Sequence, residues 1–211
     1  MLAEDSSSAS VNGCYTIISL KWAEEDLVRV TASLGFSYLM RPSYLQTLSA
    51  EDLSEGLELD EEGRSDMLHA EECYRAEIRA LASVARSEQC STQMQYKLEA
   101  KGFSKASARS AVDRLKELNF INDRRFALAW LTIRTLRSGE GRIKLISGLM
   151  AKGMDRDLAA DCVDEFLTET PEEELLQRAR EKCLRQGKNR EETIKTLQNR
   201  GFIYSNIQKN V

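Results

Sequence analysis

Leu98-Glu-Ala-Lys101-Gly102-Phe103 returns as Leu149-Met-Ala-Lys152-Gly153-Met154 and again as Leu197-Gln-Asn-Arg200-Gly201-Phe202, the glycines standing 51 and then 48 residues apart. Average residue frequencies allow about 0.06 such matches in a chain of this length. Three of them therefore mean internal repetition. The likeness continues past each glycine, with an apolar residue six positions on (Ala108, Ala159, Ile207) and another ten positions on (Val112, Val163, Val211). A glycine after a helical stretch takes the left-handed conformation that ends the helix, and the large apolar residue beside it packs back on the turn. The two later positions are four apart and so share one face of the next helix. Each unit reads as helix, helix, glycine turn, helix. Three in a row predict a mainly α protein of tandem three-helix repeats in an elongated, curved array, with a small β-containing N-terminal region.

Working outward, the first unit is expected over residues 78–121. Helical period starts at Ala80 with Leu81, Val84 and Ala85 and continues in Met94 and Leu98, with Ser91 and Ser104 as N-cap candidates. The second, over 122–170, opens at Asn122-Asp123 and carries Phe126, Trp130 and Ile133, then Ile143, Ile146 and Leu149, then Asp155 capping a helix with Ala159, Cys162, Val163 and Phe166. The third, over 171–211, follows Pro171, a residue suited to a helix's first turn. Its stripes are Leu175, Leu176, Ala179 and Cys183, then Ile194 and Leu197.

Residues 1–12 are acidic and serine-rich and read as a disordered tail. Residues 13–77 form an acidic N-terminal region with short strands at Cys14–Leu20, Leu27–Thr31 and Phe36–Met40, the last two joined by a Leu34-Gly35 turn. Ser49 to Glu77 reads as a partly helical linker, with Ser49-Ala-Glu-Asp opening a helical turn.

The 211 residues are 42% apolar, enough for a sizeable core, and contain two prolines, Pro42 and Pro171. No run approaches 18 apolar residues and the first residues lack a basic, apolar leader, so a cytoplasmic location is expected. Cys14, Cys73, Cys90, Cys162 and Cys183 are odd in number and widely spaced, which fits reduced thiols rather than disulfides or a zinc cluster. The net charge of −4 conceals an asymmetry: residues 1–77 hold 16 acids and 5 bases, residues 78–211 hold 18 acids and 25 bases.

Catalytic chemistry finds little material. His69 is the one histidine, and there is no phosphate-binding glycine loop, zinc pair or dinucleotide turn. No enzyme activity, cofactor or metal is expected. The strongest local charge is Arg124, Arg125, Arg134, Arg137, Arg142 and Lys144, opposed within that stretch by Glu140 alone. Arginine forks suit carboxylates and phosphates, so this set is the candidate binding patch. Arg134 and Arg137 share a helix face, and Arg137-Ser-Gly139-Glu-Gly141-Arg142 brings Arg142 towards that helix end. The competing reading pairs these arginines with acids of the same unit, such as Asp155, Asp157 or Asp161.

These residues resemble the RecX family of bacterial recombinase regulators. The resemblance lies in Ser91 to Phe103, in Asn122-Asp123-Arg124-Arg125-Phe126-Ala127, and in Arg137 to Ile143 followed by Leu149 to Gly153, and it covers roughly residues 78–211. It implies a monomeric, non-enzymatic protein that binds the RecA filament and lowers its ATPase and strand-exchange activity, so modulating recombination, DNA repair and the SOS response. The six basic residues would then face acidic RecA surfaces or DNA within the filament, with weak binding of free DNA. Two departures carry expectations of their own. Glu88 and Gln89 stand where the family is basic, which weakens the expected DNA contact of the first repeat, and Gly148 stands where the family has a large helix former. The alternative reading is a helix-turn-helix-like transcriptional regulator, since glycine turns between helices are common to both.

Overall fold

The computed structural model describes residues 15–24, 26–137 and 139–210. The expected tail at 1–12, Cys14 and Val211 lie outside the described residues. The chain divides into two compact units, Met1–Ile78 and Arg79–Val211.

In the first unit β1 (Tyr15–Glu24), β2 (Leu27–Ala32), β3 (Ser37–Met40) and β4 (Glu58–Leu59) form an antiparallel sheet in the order β3-β2-β1-β4. Along β2 the β-branched Val28 and Val30 and then Ala32 are fully buried while Arg29 is exposed, the alternation that a half-buried strand requires. The turn into β3 runs through Leu34 and Gly35 at φ 64° and 81°. The acidic stretch expected to be a linker instead holds β4 and most of α1 (Glu61–Val84). Met67, Ala70 and Cys73, three apart, are fully buried in the same core as Val28, Val30 and Tyr38. Glutamates on the other faces hide this stripe from a composition-based reading. The helical period seen from Ala80 is accordingly the end of a helix that starts at Glu61.

At the turn expected from Ser49 the Asp52 N–H donates to the Ser49 carbonyl at 3.2 Å, and the Asp52 carboxylate accepts the Ser49 N–H and hydroxyl at 2.8 and 2.7 Å. His69 lies on α1, its Nε2 2.9 Å from the Gln46 amide and 3.4 Å from Cys73 Sγ.

The second unit holds the end of α1, then α2 (Ser91–Glu99), α3 (Lys105–Glu117), α4 (Asp123–Arg137), α5 (Arg142–Met150), α6 (Arg156–Glu169), α7 (Glu172–Arg185), α8 (Arg190–Asn199) and α9 (Tyr204–Asn210). The three glycine turns are the same object bond for bond. Gly102, Gly153 and Gly201 sit at φ 91°, 88° and 83°. The N–H after each (Phe103, Met154, Phe202) donates to the carbonyl of Leu98, Leu149 or Leu197 at 3.3 Å, and each glycine N–H donates to the carbonyl three residues back at 2.8–2.9 Å. This is the Schellman pattern, and the three leucines are fully buried. Ser104 and Asp155 cap α3 and α6 as expected, and Asn122 caps α4 by accepting the Arg125 N–H at 3.0 Å.

Three stripe assignments change. In α4 the buried line is Ala127, Leu131 and Thr135, while Phe126 and Trp130 are half-buried and Ile133 is exposed. In α5 it is Leu145 and Leu149, with Ile143 exposed. Leu118, expected on α3's inner face, is exposed at its end. The physical reason is register: Ala127 and Thr135 are small or polar and score poorly in an apolar count, yet they admit the close approach of α6.

The groups of helices are joined by a repeated device. Ser91 opens α2 rather than capping it; its N–H and hydroxyl both go to Asp123, the first residue of α4, at 2.7 Å each. The first N–H of α5, on Arg142, likewise goes to Glu172, the first residue of α7, at 2.7 Å. Thr92 donates to the Gly153 carbonyl at 2.9 Å, and Gly141 donates to the Arg200 carbonyl at 2.9 Å. Each second helix thus starts against the glycine turn of the group that follows it.

Candidate functional site

The six basic residues of the middle group are not left as bare charge. Arg124 pairs with Glu165 of α6. Arg125 turns the other way, its Nε donating to Glu88 and its terminal nitrogens to the carbonyls of Asn119 and Phe120. Arg134 grips Glu140 with two bonds of 2.9 and 2.8 Å and lies 5.5 Å above the Trp130 ring. Arg142 grips Asp164 of α6 at 2.6 and 2.7 Å. Lys144 is exposed and has no carboxylate partner among the described residues. The side chain of Arg137, the last residue of α4, lies outside them.

The structure ties both Arg124 and Arg142 to α6, but through successive residues, Glu165 and Asp164, which face different sides of that helix, and it directs Arg125 and Arg134 elsewhere. The partners are Glu88, Glu140, Asp164 and Glu165 rather than Asp155, Asp157 or Asp161, and Asp155 caps α6. The Arg142 hydrogen bonds hold the Asp164 carboxyl below the usual carboxylate range. Glu140 is the most enclosed of these acids, 7% exposed, so the Arg134 fork is fixed. Beside Arg142 a groove of about 420 Å³ between α5 and α6 is lined by Ile143, Ile146, Met150 and Arg156. Ile143 and Met150 are 58% and 43% exposed there. Half-exposed arginines of fixed direction beside exposed apolar side chains make a surface suited to protein docking.

A second basic surface escaped the sequence reading. Arg79 near the end of α1, Arg86 just beyond it, Lys97 in the last turn of α2 and Lys101 in the first glycine turn line one groove of about 340 Å³ with Met94 and Leu98 at its base. Its lining contains no acid. The signal that could have found it is the spacing, Arg79 and Arg86 seven apart and Lys97 and Lys101 four apart, each pair on one side of a helical path.

Comparison with known proteins adds the family. A regulatory protein RecX of Treponema pallidum is 34% identical to this chain over 137 residues, which are 65% of this chain and 84% of that protein. The chain belongs to the RecX family. A regulatory protein RecX of Chlorobaculum tepidum is also 34% identical, over 124 residues, 56% of this chain and 75% of its own. A crystal structure of a regulatory protein RecX superimposes with a TM-score of 0.70 over 92% of this chain and 97% of that one, and at 17% identity the likeness concerns the fold. No family model matches the chain.

Gly148, expected to depart from the family pattern, is explained by its neighbour. A Cβ there would lie 2.5 Å from Trp130 Cη2, so the glycine makes room for the ring that carries Arg134, and α5 runs through it unbroken. Cys73, Cys90, Cys162 and Cys183 are free and buried, Cys162 within the main core. Among the described residues no group of three or more histidine, cysteine or acidic side chains is placed to hold a metal, and no helix is long and apolar enough to cross a membrane.

Proposed function

We propose that this RecX family member acts as a monomeric, non-enzymatic regulator that binds the RecA filament and lowers its ATPase and strand-exchange activity. The observation that carries this reading is family membership in regulatory proteins, joined to the tandem helical groups of this chain. Residues 78–121, 122–170 and 171–211 are its three repeats. Tandem modules in contact with their neighbours offer an extended face, which suits a polymeric partner better than a small ligand. The surface around Arg142, Lys144 and the exposed Ile143 and Met150 is the RecA-facing part, the Asp164 ion pair holding the Arg142 guanidinium in a fixed direction while an apolar rim supplies buried area.

The experiment is a titration of the full chain into RecA assembled on single-stranded DNA, with ATP hydrolysis as the readout. Hydrolysis is expected to fall at substoichiometric amounts. A flat titration removes the reading.

A further inference from the structure

We propose that the groove lined by Arg79, Arg86, Lys97 and Lys101 binds the phosphodiester backbone of DNA, without regard to base sequence. The proposal places DNA on the first repeat, where the sequence departures weakened that expectation, and it stands apart from the RecA reading.

Charge is the first argument. Four cations line this groove and none has a carboxylate partner among the described residues. The nearby acids are engaged elsewhere, Glu88 by Arg125 and Glu99 by the Gln95 amide. The middle repeat differs, since four of its arginines already hold carboxylates. Two helix C-termini, of α1 and α2, point their negative ends this way, but each amounts to about half an elementary charge. Roughly three positive charges are left over.

Preorganisation is the second. Lys97 Nζ donates to Gln89 Oε1, and Gln89 is 8% exposed and tied by its own amide to the Ser87 hydroxyl and carbonyl. A neutral acceptor fixes the direction of the ammonium without cancelling its charge. Gln89 thus aims a lysine without adding a charge of its own. Beneath it Met94 and Leu98 are each 1% exposed and give the groove a rigid base.

The third argument is what such a groove selects. An acidic protein surface intersperses its carboxylates with bases, whereas a nucleic acid presents uninterrupted negative charge, one per roughly 3.4 Å of rise on each strand. Four cations with no acid among them match the second. The lining has no aromatic ring on which a base could stack, so what it offers a strand is contact to phosphate.

The test uses the full chain, without RecA, and fluorescence anisotropy of a fluorescein-labelled oligo(dT). Each phosphate contact on a single strand contributes about 0.7 to the slope of log K against log salt. Lys97→Gln with Lys101→Gln is expected to lower that slope by about 1.4, as is Arg79→Gln with Arg86→Gln, while Lys195→Gln with Lys209→Gln leaves it unchanged. Slopes unaltered in folded groove variants overturn the proposal, and so does displacement of the oligonucleotide by polyglutamate at equal charge, which would assign the groove to acidic protein. A footprint of the unaltered protein decides the matter if a variant does not fold. Oligo(dT) is expected to shield Lys97 and Lys101 from acetylation but not Lys209, and uniform labelling refutes the site. Because RecA is absent throughout, failure here leaves the filament reading to its own ATPase titration.

Discussion

The carboxylate of Glu172 accepts the backbone N–H of Arg142 at 2.7 Å, so the first residue of α7 closes the open N-terminus of α5. Asp123 of α4 does the same for Ser91 at the start of α2. A helix N-terminus has unpaired N–H donors, and here the acceptor comes from the next group along the chain. In α8 the donor is met internally, by the Asn189–Glu192 capping box.

These acids therefore couple neighbouring repeats. Asp123→Ala and Glu172→Ala are each expected to cost about 0.5–2 kcal/mol, the range of a lost N-cap, with Asp123→Ala the larger because the Ser91 hydroxyl is also released. Urea denaturation checks the values. The double variant should also unfold over a broader range with a lower m-value, as units that depend on nearest-neighbour contacts lose cooperativity. An undiminished m-value would show that the repeats are joined by other means.

Replacing the three turn glycines by alanine should separate strain from crowding. At Gly102 nothing lies within 4 Å of an added Cβ, so only the left-handed backbone cost of about 1–2 kcal/mol applies. At Gly153 the Cβ would meet Thr92 Cγ2 at 2.6 Å, and at Gly201 the backbone nitrogen of Lys144 at 2.5 Å. A threonine side chain can shift and a helix backbone cannot. The expected order of thermal destabilisation is Gly201→Ala, then Gly153→Ala, then Gly102→Ala.

Gly148→Ala sets helix propensity against packing. Alanine gains about 1 kcal/mol over glycine inside a helix. The collision with Trp130 costs about 1–3 kcal/mol, so the variant should be less stable overall. In a Trp130→Leu background the sign should reverse, and a double-mutant cycle measures the difference.

Asp66 makes the sheet-bearing unit acid-sensitive. Burial opposes its ionisation, but the N–H groups of Leu48, Gln46 and Thr47 and the Thr47 hydroxyl outweigh burial and lower its pKa below the ordinary value. A carboxylate with a lowered folded-state pKa adds stability in full above the unfolded value of about 3.9, and loses it as pH falls through the folded value. Asp66→Asn should cost about 1–3 kcal/mol at neutral pH and flatten the loss of stability below about pH 4, as followed by circular dichroism.

On the middle repeat the variants differ in what they test. Arg134→Glu sets a second carboxylate against the enclosed Glu140 and should lower stability, confounding any functional readout. Lys144→Glu breaks no ion pair among the described residues, so it should leave the melting temperature within a few degrees while weakening RecA inhibition. Full inhibition by this variant would move the contact away from Lys144.

Local chemistry made the helical part of this chain readable. Leu98, Leu149 and Leu197 with their glycines specify a Schellman turn wherever they occur, because the left-handed residue and its two hydrogen bonds are satisfied within six residues. Ser104 and Asp155 announce helix starts for the same reason. The α1 segment was not readable that way, since Met67, Ala70 and Cys73 are too few and too small to stand out among acids until the sheet that buries them is in place. The same limit blurred α4, where Ala127 and Thr135 face inward and Ile133 faces out.

The candidate site shows where the division falls. Residue order alone settled the three helical modules, their glycine stops and the list of available cations, all of which depend on neighbours a few positions apart. Folding settled which of those cations stay unneutralised. Arg125 meets Glu88 and Arg142 meets Asp164 across 37 and 22 residues, while Arg79, Arg86, Lys97 and Lys101 converge from two helix ends with no acid between them. Charge cancels through space, over a few ångströms, and that distance is set by packing rather than by position along the chain.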